Sequence, residues 1–444
     1  MINDTIVALA TPNMKSAVSI IRLSGQDCLE LVDRFCSINL QKCLANTINY
    51  GFIVDEKNKK LDEVLISVFK APHSFTGENV IEVNTHGGIN ISRKILNLFL
   101  SNGARMAQPG EFSQRAYLNN RIDLIEVEAI ADMIDARSDH ASELAMLGLT
   151  KKTTFLIDDL KEKLIQIIAQ IEAKIDYPEY DDIADIAGDE LGVKLTEFKD
   201  DITRIIDASK TGKLIKNGIK IALIGQPNVG KSSLLNAFLN ENKAIVTEVA
   251  GTTRDIIEAD YSLNGIDVTF LDTAGIRSSD DVVEKIGIAR SYEALAKADL
   301  ILLVLDNSKQ ELTTFEADLI NNNNDNLLIV LNKSDLGNNL NIEGLKISAL
   351  KGDIATLTQA ISERLDLNIN IENEALFLSN ERHLALLNKV KLNIDEATKS
   401  LTLGMSNDLI IEDLELAYHH LQELLGNNKA DLLDELFSRF CLGK

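Results

Sequence analysis

The sequence predicts a multidomain α/β protein. An N-terminal α+β domain is followed by a helical domain written in two pieces, and between those pieces lies an α/β domain with a doubly wound sheet. Three observations carry this reading. About the first 118 residues mix short alternating segments with one helical stretch. Two later blocks repeat apolar residues at intervals of three and four, and the segment between those blocks alternates short apolar runs with helical patterns. The boundaries that follow are 1–118, 119–216, 217–370 and 371–444. A chain of 444 residues has room for them, at about 100 to 200 residues per domain.

In the head, Glu63 to Phe69 and Asn79 to Asn84 alternate as half-buried strands do, and Ile89 to Leu100 has helical spacing. From about residue 121 the period changes. Leu156, Leu160, Leu164, Ile167, Ile168, Ile171 and Ile175 mark one face of a long amphipathic helix. Pro178 and the acidic run Asp181, Asp182, Asp185 interrupt it, and Leu191, Leu195, Phe198, Ile202, Ile205 and Ile206 resume the same signature. At Gly218 the rhythm turns to the runs IKIALIG, VTFLDT, DLILLVLD and NLLIVLN with helical patterns among them, which implies a parallel sheet covered on both faces. Asn321 to Asn324 reads as a loop. After about residue 370, Leu409, Ile410, Leu414, Ala417, Leu421, Leu424 and Leu425 form another helical stripe. Neither helical block reads as a whole core, so the two are taken as one interrupted domain.

Composition narrows the function classes. With 45 Lys+Arg against 68 Asp+Glu the net charge is −23, which argues against phosphate binding along the whole chain and requires a local basic patch or a helper protein for any nucleic acid. Hydrophobic content of 45% and charged content of 25% exclude disorder on a large scale. The start MINDTIVALATPN has no cationic region leading into an apolar run, and no apolar stretch approaches membrane-spanning length, so a cytoplasmic protein with no membrane partner is expected. Cys28, Cys36, Cys43 and Cys441 form no CxxC pair, and reduced, mostly buried thiols are expected.

The chemistry is concentrated in the α/β segment. Gly225-Gln-Pro-Asn-Val-Gly-Lys-Ser232 fits GxxxxGK[ST] and follows an apolar run, the setting of a P-loop whose backbone N–H groups cradle phosphates. Asn228, Val229, Gly230, Lys231, Ser232 and Ser233 are its expected contacts, with Lys231 on the β and γ phosphates and Ser232 on Mg²⁺. Asp272-Thr273-Ala274-Gly275 follows VTFL, so Asp272 is expected to hold Mg²⁺ through water and the Gly275 N–H to sense the γ-phosphate. Thr253, within Gly251-Thr252-Thr253-Arg254-Asp255, is the second hydroxyl expected on the ion. Asn332-Lys333-Ser334-Asp335 closes another apolar run; its Asp335 can accept from N1–H and the 2-amino group of guanine, donors that adenine lacks. Ser348-Ala349 supplies a backbone N–H for guanine O6, and together these motifs imply GTP as substrate. The position after DTAG, often a glutamine that orients water, is Ile276. Glu284, Arg277 and Arg254 are the candidates to replace it.

The flanks carry a resemblance. Asp4-Thr-Ile-Val-Ala, Ser74-Phe-Thr-Gly-Glu78, His86-Gly-Gly, Pro109-Gly-Glu-Phe-Ser113, Ile122-Asp-Leu, Glu128-Ala-Ile-Ala-Asp132 and Cys441-Leu-Gly-Lys444 resemble, in order, the MnmE family of tRNA modification GTPases. The resemblance implies a homodimer built through an N-terminal tetrahydrofolate-binding-like domain. It also implies a heterotetramer with the FAD-dependent protein MnmG, and an aminomethyl or carboxymethylaminomethyl group installed on C5 of the wobble uridine of tRNA. The one-carbon unit is then implied to come from 5-formyl- or methylene-tetrahydrofolate. Folate contacts carry over to Arg22, Glu82, Arg121 and Lys444; position 121 is usually lysine, and Asn13 to Ser19 replaces a glycine-rich segment. A K⁺ site carries over to Asn228 and to the loop Thr247, Glu248, Val249, Ala250, Gly251 and Thr252, with Thr247, Val249 and Thr252 as ligands. Glu284 carries over as the residue that orients the hydrolytic water, so catalysis is expected to involve Glu284, Asn228 and Asp272. A ribosome-assembly GTPase switch is the alternative, one that would ordinarily bring a basic RNA-binding module.

Overall fold

The computed structural model describes residues 4–176, 188–241, 258–272, 297–309, 311–322, 326–352, 354–365 and 380–426, with the single positions 295, 378, 437, 440 and 443. The chain divides into two compact units, residues 1–131 with 422–444 and residues 132–421.

The first unit is built on a six-stranded sheet. Its strands are β1 (Ile6–Leu9), β2 (Val18–Ser24), β3 (Thr47–Val54), β4 (Lys60–Phe69), β5 (Val80–His86) and β6 (Arg105–Met106), in the order β3-β4-β5-β2-β1-β6. Only the β1–β6 pair is parallel; the other pairs are antiparallel. The alternation expected from the sequence sorts side chains between faces. Ile21, Leu23, Ile81 and Val83 enter a core with Ile95 and Phe99 of α2 (Ile89–Ser101). Arg22 and Glu82, register partners on β2 and β5, fall on the other face. The short helix α1 (Cys28–Asp33) adds Leu31 and Val32 to the core, where Cys28 is buried and free while Cys36 and Cys43 are half-buried.

An ionic knot centred on a buried arginine ties α3 (Glu111–Leu118) to the rest of this unit. Arg115 is 2% exposed, and its guanidinium meets Asp4 at 2.6 Å, Glu111 at 3.1 Å and Glu78 at 3.2 Å. Arg105 adds pairs to Asp4 and Glu111, both at 2.6 Å. Burial by itself would raise the carboxyl groups of Asp4 and Glu111, but hydrogen bonds from Arg105 and Arg115 outweigh it and hold both below their ordinary values of 3.8 and 4.5.

In the second unit, α5 (Asp139–Leu149), α6 (Lys152–Asp176) and α7 (Gly188–Asn217) are joined by α11 (Glu381–Thr402) and most of α12 (Asn407–Leu424); α4 (Leu124–Asp135) straddles the division near residue 131. Helices α7 and α11 pack together and are pinned by Lys199–Asp395 at 2.5 Å and Lys213–Glu381 at 2.7 Å. Ser209 on α7 accepts from the Leu378 N–H at 2.9 Å just ahead of α11. Two details differ from the sequence reading. On α6 the buried stripe runs through Ile157 rather than Leu156, and Ile175 is exposed in the last turn, because the stripe ends with its packing partners at Ile171. Leu409 is 48% exposed in the first turn of α12, one residue ahead of the buried row Ile410, Leu414, Ala417, Leu421 and Leu424, and so turned about 100° away from it.

The inserted sheet has the order β12-β11-β10-β7-β9-β8. Its strands are β7 (Ile219–Ile224), β8 (Glu258–Leu263), β9 (Ile266–Asp272), β10 (Leu300–Asp306), β11 (Leu327–Asn332) and β12 (Leu345–Lys346). β10 is buried at every position, and the core residues fall into two clusters, as expected of a sheet covered on both faces by α8 (Lys231–Glu241), α9 (Thr314–Asn321) and α10 (Ala355–Arg364). The sheet is parallel except at β8, which pairs antiparallel with β9 across the two-residue turn Asn264-Gly265. Asn321 ends α9, and the rest of the expected loop lies largely outside the described residues.

The depressed carboxyl values in the head have a consequence for pH. Stability from Asp4 and Glu111 is fully present above pH 4.5 and drains away as the pH falls through their folded values. Thermal unfolding of the full chain is therefore expected to lose stability below pH 4.5 in wild type, with a shallower loss in Glu111→Gln. Arg115→Ala should cost about 3 to 5 kcal/mol at neutral pH by leaving carboxylates unpaired. Identical acid slopes in wild type and Glu111→Gln would remove this knot from the acid response.

Candidate nucleotide site

The strand order reverses at β7, with β10 on one side and β9 on the other, and such a switch point opens a crevice at the carboxyl ends of the strands. The loop from Gly225 to Gly230 fills it. Gly225 has φ +150, and a Cβ there would stand 2.2 Å from the Val304 carbonyl oxygen; Gly230 has φ +104, and its Cβ would stand 2.2 Å from Asn332 Nδ2. These two glycines let the loop lie flat on its neighbours. Asn228 adopts the left-handed region at φ 66, a conformation asparagine tolerates, and it is exposed. Lys231 is buried in the first turn of α8 with Nζ donating to the carbonyls of Gly225 at 2.6 Å and Gln226 at 2.9 Å. Ser232 and Ser233 follow it and are exposed.

Asn332, at the end of β11, ties three loops together. It is 2% exposed; its Nδ2 donates to the Val229 carbonyl at 2.8 Å, and its Oδ1 accepts from the Ala349 N–H at 2.9 Å. That N–H, expected from the sequence to serve guanine O6, is thus already engaged in the tie between loops. Lys333, at φ 60, pairs with Asp306 at 2.7 Å. Burial raises the Asp306 carboxyl, but the hydrogen bonds from Lys333 and Ser308 prevail and leave it below its ordinary value. Asp335 is exposed, with Oδ1 accepting from the buried Ser348 hydroxyl at 2.8 Å. Asp272 ends β9 opposite Leu223 of β7.

Thus the structure gathers Asn228 to Ser233, Asn332, Lys333, Asp335, Ser348 and Ala349 around one crevice. Thr247 to Thr253, Thr273, Ala274, Gly275 and Glu284, with Arg254, Ile276 and Arg277, lie outside the described residues. Among the described residues no group of three or more His, Cys, Asp or Glu forms a metal cluster. Ser232 and Asp272 are nonetheless oxygen donors of the kind a hard divalent ion takes.

In the head, Arg22 NH2 meets Glu82 Oε1 at 2.8 Å across β2 and β5, and its NH1 donates to the Gly443 carbonyl at 2.9 Å. Arg121 Nε donates to the Ser74 carbonyl at 3.2 Å, while Lys444 and Cys441 lie outside the described residues. The sequence reading missed three neighbours. Phe112 lies under the Arg22 guanidinium at 5.7 Å, Gly443 offers its carbonyl, and Asp306 anchors Lys333. Phe112 and Gly443 lay within the quoted segments Pro109 to Ser113 and Cys441 to Lys444 without a role of their own, and Asp306 had its signal as the acid closing the run LILLVLD.

Comparison with known proteins identifies the family. Residues 5–121 match the family profile "GTP-binding protein TrmE N-terminus", and residues 124–441 match the "MnmE helical domain". The tRNA modification GTPase MnmE of Streptococcus pyogenes serotype M12 is 43% identical over 99% of this chain and 98% of its own. That of Acholeplasma laidlawii is 44% identical over 99% of each. Among solved structures, the G domain of the T. maritima FeoB iron transporter is 26% identical over 33% of this chain and 98% of its own, with a TM-score of 0.26. With both profiles matched in order and relatives this similar along nearly its whole length, the chain belongs to the MnmE family of tRNA modification GTPases.

Proposed function

We infer that the chain is a GTP-hydrolysing enzyme of tRNA modification. The observation that carries this reading is the Asn332 tie, which unites phosphate loop, NKSD loop and Ser348-Ala349 into one guanine-nucleotide cleft in a chain of this family. Loop N–H groups and the N-terminus of α8 favour an anionic phosphate, and Lys231 is already held beside them. Ser232 and Asp272, with Thr253, would hold Mg²⁺, which when bound neutralises charge on the β and γ phosphates. Asp335, steadied by Ser348, presents acceptor oxygens to N1–H and the 2-amino group; adenine would leave them unpaired.

Because Ile276 has no side chain that can orient water, the reading assigns that work to Glu284. Charge neutralisation falls to K⁺ held by Asn228, Thr247, Val249 and Thr252. An exposed carboxamide in left-handed backbone, as at Asn228, is an oxygen donor suited to that ion. In the head, Arg22 and Glu82 offer a cation and a carboxylate matched to the acid and N–H groups of 5-formyl- or methylene-tetrahydrofolate, joined by Arg121 and Lys444. The product is an aminomethyl or carboxymethylaminomethyl group on C5 of the wobble uridine, made in the cytoplasm by a homodimer together with the FAD-dependent MnmG. A net charge of −23 supports tRNA contacts shared with that partner, and among the described residues no helix is long and apolar enough to cross a membrane.

Nucleoside analysis of tRNA tests the function. Cells lacking this gene should lose the C5 substituent on wobble uridine, and wild type but not Lys231→Ala should restore it. Intact wobble uridines alongside a ribosome-assembly defect would favour the switch reading instead. Base selectivity gives a second test. Asp335→Asn should weaken GTP binding and relax it toward xanthosine triphosphate, because the amide donates where the carboxylate accepted. Unchanged GTP affinity in that variant would remove Asp335 from the site.

A further inference from the structure

The phosphate loop is fastened at a second point, from α9. Gln226, the second residue of the loop, donates through Nε2 to Glu316 Oε2 at 3.1 Å and accepts through Oε1 from Lys309 Nζ at 3.3 Å. The same Glu316 oxygen closes the capping box of α9, accepting from Thr313 N at 2.9 Å and Thr313 Oγ1 at 2.8 Å. A capping box needs its glutamate only for the backbone of the N-cap residue. Here the carboxylate is 3% exposed and is shared with a residue 90 positions away in sequence. Gln226 also provides, through its own carbonyl, an acceptor that holds Lys231 Nζ beside the Gly225 carbonyl.

We propose that Glu316 is a positioning residue for nucleotide binding: it fixes Gln226, and through the Gln226 carbonyl it seats the Lys231 ammonium that meets the phosphates. The proposal rests on the GTP reading above. Glu316 itself touches no nucleotide. The connection from β10 to α9 begins at Asp306, the partner of Lys333 in the base-recognition loop, and reaches Glu316 in the first turn of α9. One connection therefore braces the cleft at both ends, the base side through Asp306–Lys333 and the phosphate side through Glu316–Gln226.

Titration of the full-length chain with a fluorescent GTP analogue tests this, using wild type, Gln226→Ala, Glu316→Ala, the double variant, Glu316→Gln and Thr313→Ala. Gln226→Ala and Glu316→Ala should each weaken binding roughly tenfold, the size of one hydrogen bond to a charged group, with the double variant no weaker than either. Glu316→Gln keeps an acceptor oxygen and should recover most of the affinity. Thr313→Ala removes the cap hydroxyl but leaves the acceptor of Gln226, so it should lower Tm while holding affinity within about twofold. Additive losses in the double variant, or equal losses in Thr313→Ala and Glu316→Ala, would mean that Glu316 acts only as a helix cap. Should Glu316→Ala fail to fold, Gln226→Ala decides alone, and wild-type affinity there overturns the proposal. A wild-type chain that does not bind the analogue overturns the GTP reading and the proposal with it.

Discussion

The nucleotide cleft depends on one buried carboxamide. Asn332 has a donor and an acceptor, and each is used on a different loop, the Val229 carbonyl on one side and the Ala349 N–H on the other. In the low dielectric of the sheet's end, each such bond is strong and each unmade one costly, so the spacing between phosphate and base loops is fixed. The approach is possible only because Gly230 has no Cβ, since one would sit 2.2 Å from the Asn332 nitrogen. A glycine usually explained by phosphate contact thus also admits the side chain of a motif about a hundred residues away. The fully buried β10, between β7 and β11, holds the strands that carry the two loops in register.

The head solves a different problem. Its Arg115 is buried and crowded with carboxylates, and it fastens α3 and the Glu78 loop to the start of the chain. Arg22, on the opposite side of β2 from the core, keeps partial access to water, with Glu82, the Gly443 carbonyl and the Phe112 ring around it. Removing a partner of the buried Arg115 would leave an uncompensated charge, whereas the Arg22–Glu82 pair, about 20% exposed, lies where solvent reaches it. Arg115 is therefore committed to structure, and Arg22, 20% exposed, is the arginine on which the proposed folate role calls.

Much of this was legible in the sequence because it is local. IKIALIG and LILLVLD, short apolar runs set among helical patterns, read as buried parallel strands, and GQPNVGKS carries its own turn chemistry between a strand and a helix. What escaped depends on contacts between distant segments. Nothing near Ala349 says that its N–H is taken by Asn332, and nothing near Gln226 points to Glu316, although Thr313 to Glu316 reads as a capping box once sought. The helical stripes were right in period and phase through their middles, as at Leu160 to Ile171 and Ile410 to Leu424, and differed only at their ends, since which of Leu156 and Ile157 turns inward is set by the neighbouring helices rather than by the helix itself. The antiparallel edge β8 was missed although Asn264-Gly265 carries the signal of a two-residue hairpin turn, because the reading followed the continuous apolar runs and β8 is not one of them.

The central claim, that Asn332 couples the two ends of the cleft, is tested most directly by calorimetric titration of GDP into wild type and Asn332→Ala. Loss of both buried partners should weaken GDP by about tenfold or more, and the variant should also discriminate less between GDP and ADP, because the base loop is no longer registered to the phosphate loop. Wild-type GDP affinity with undiminished guanine preference in Asn332→Ala would contradict it.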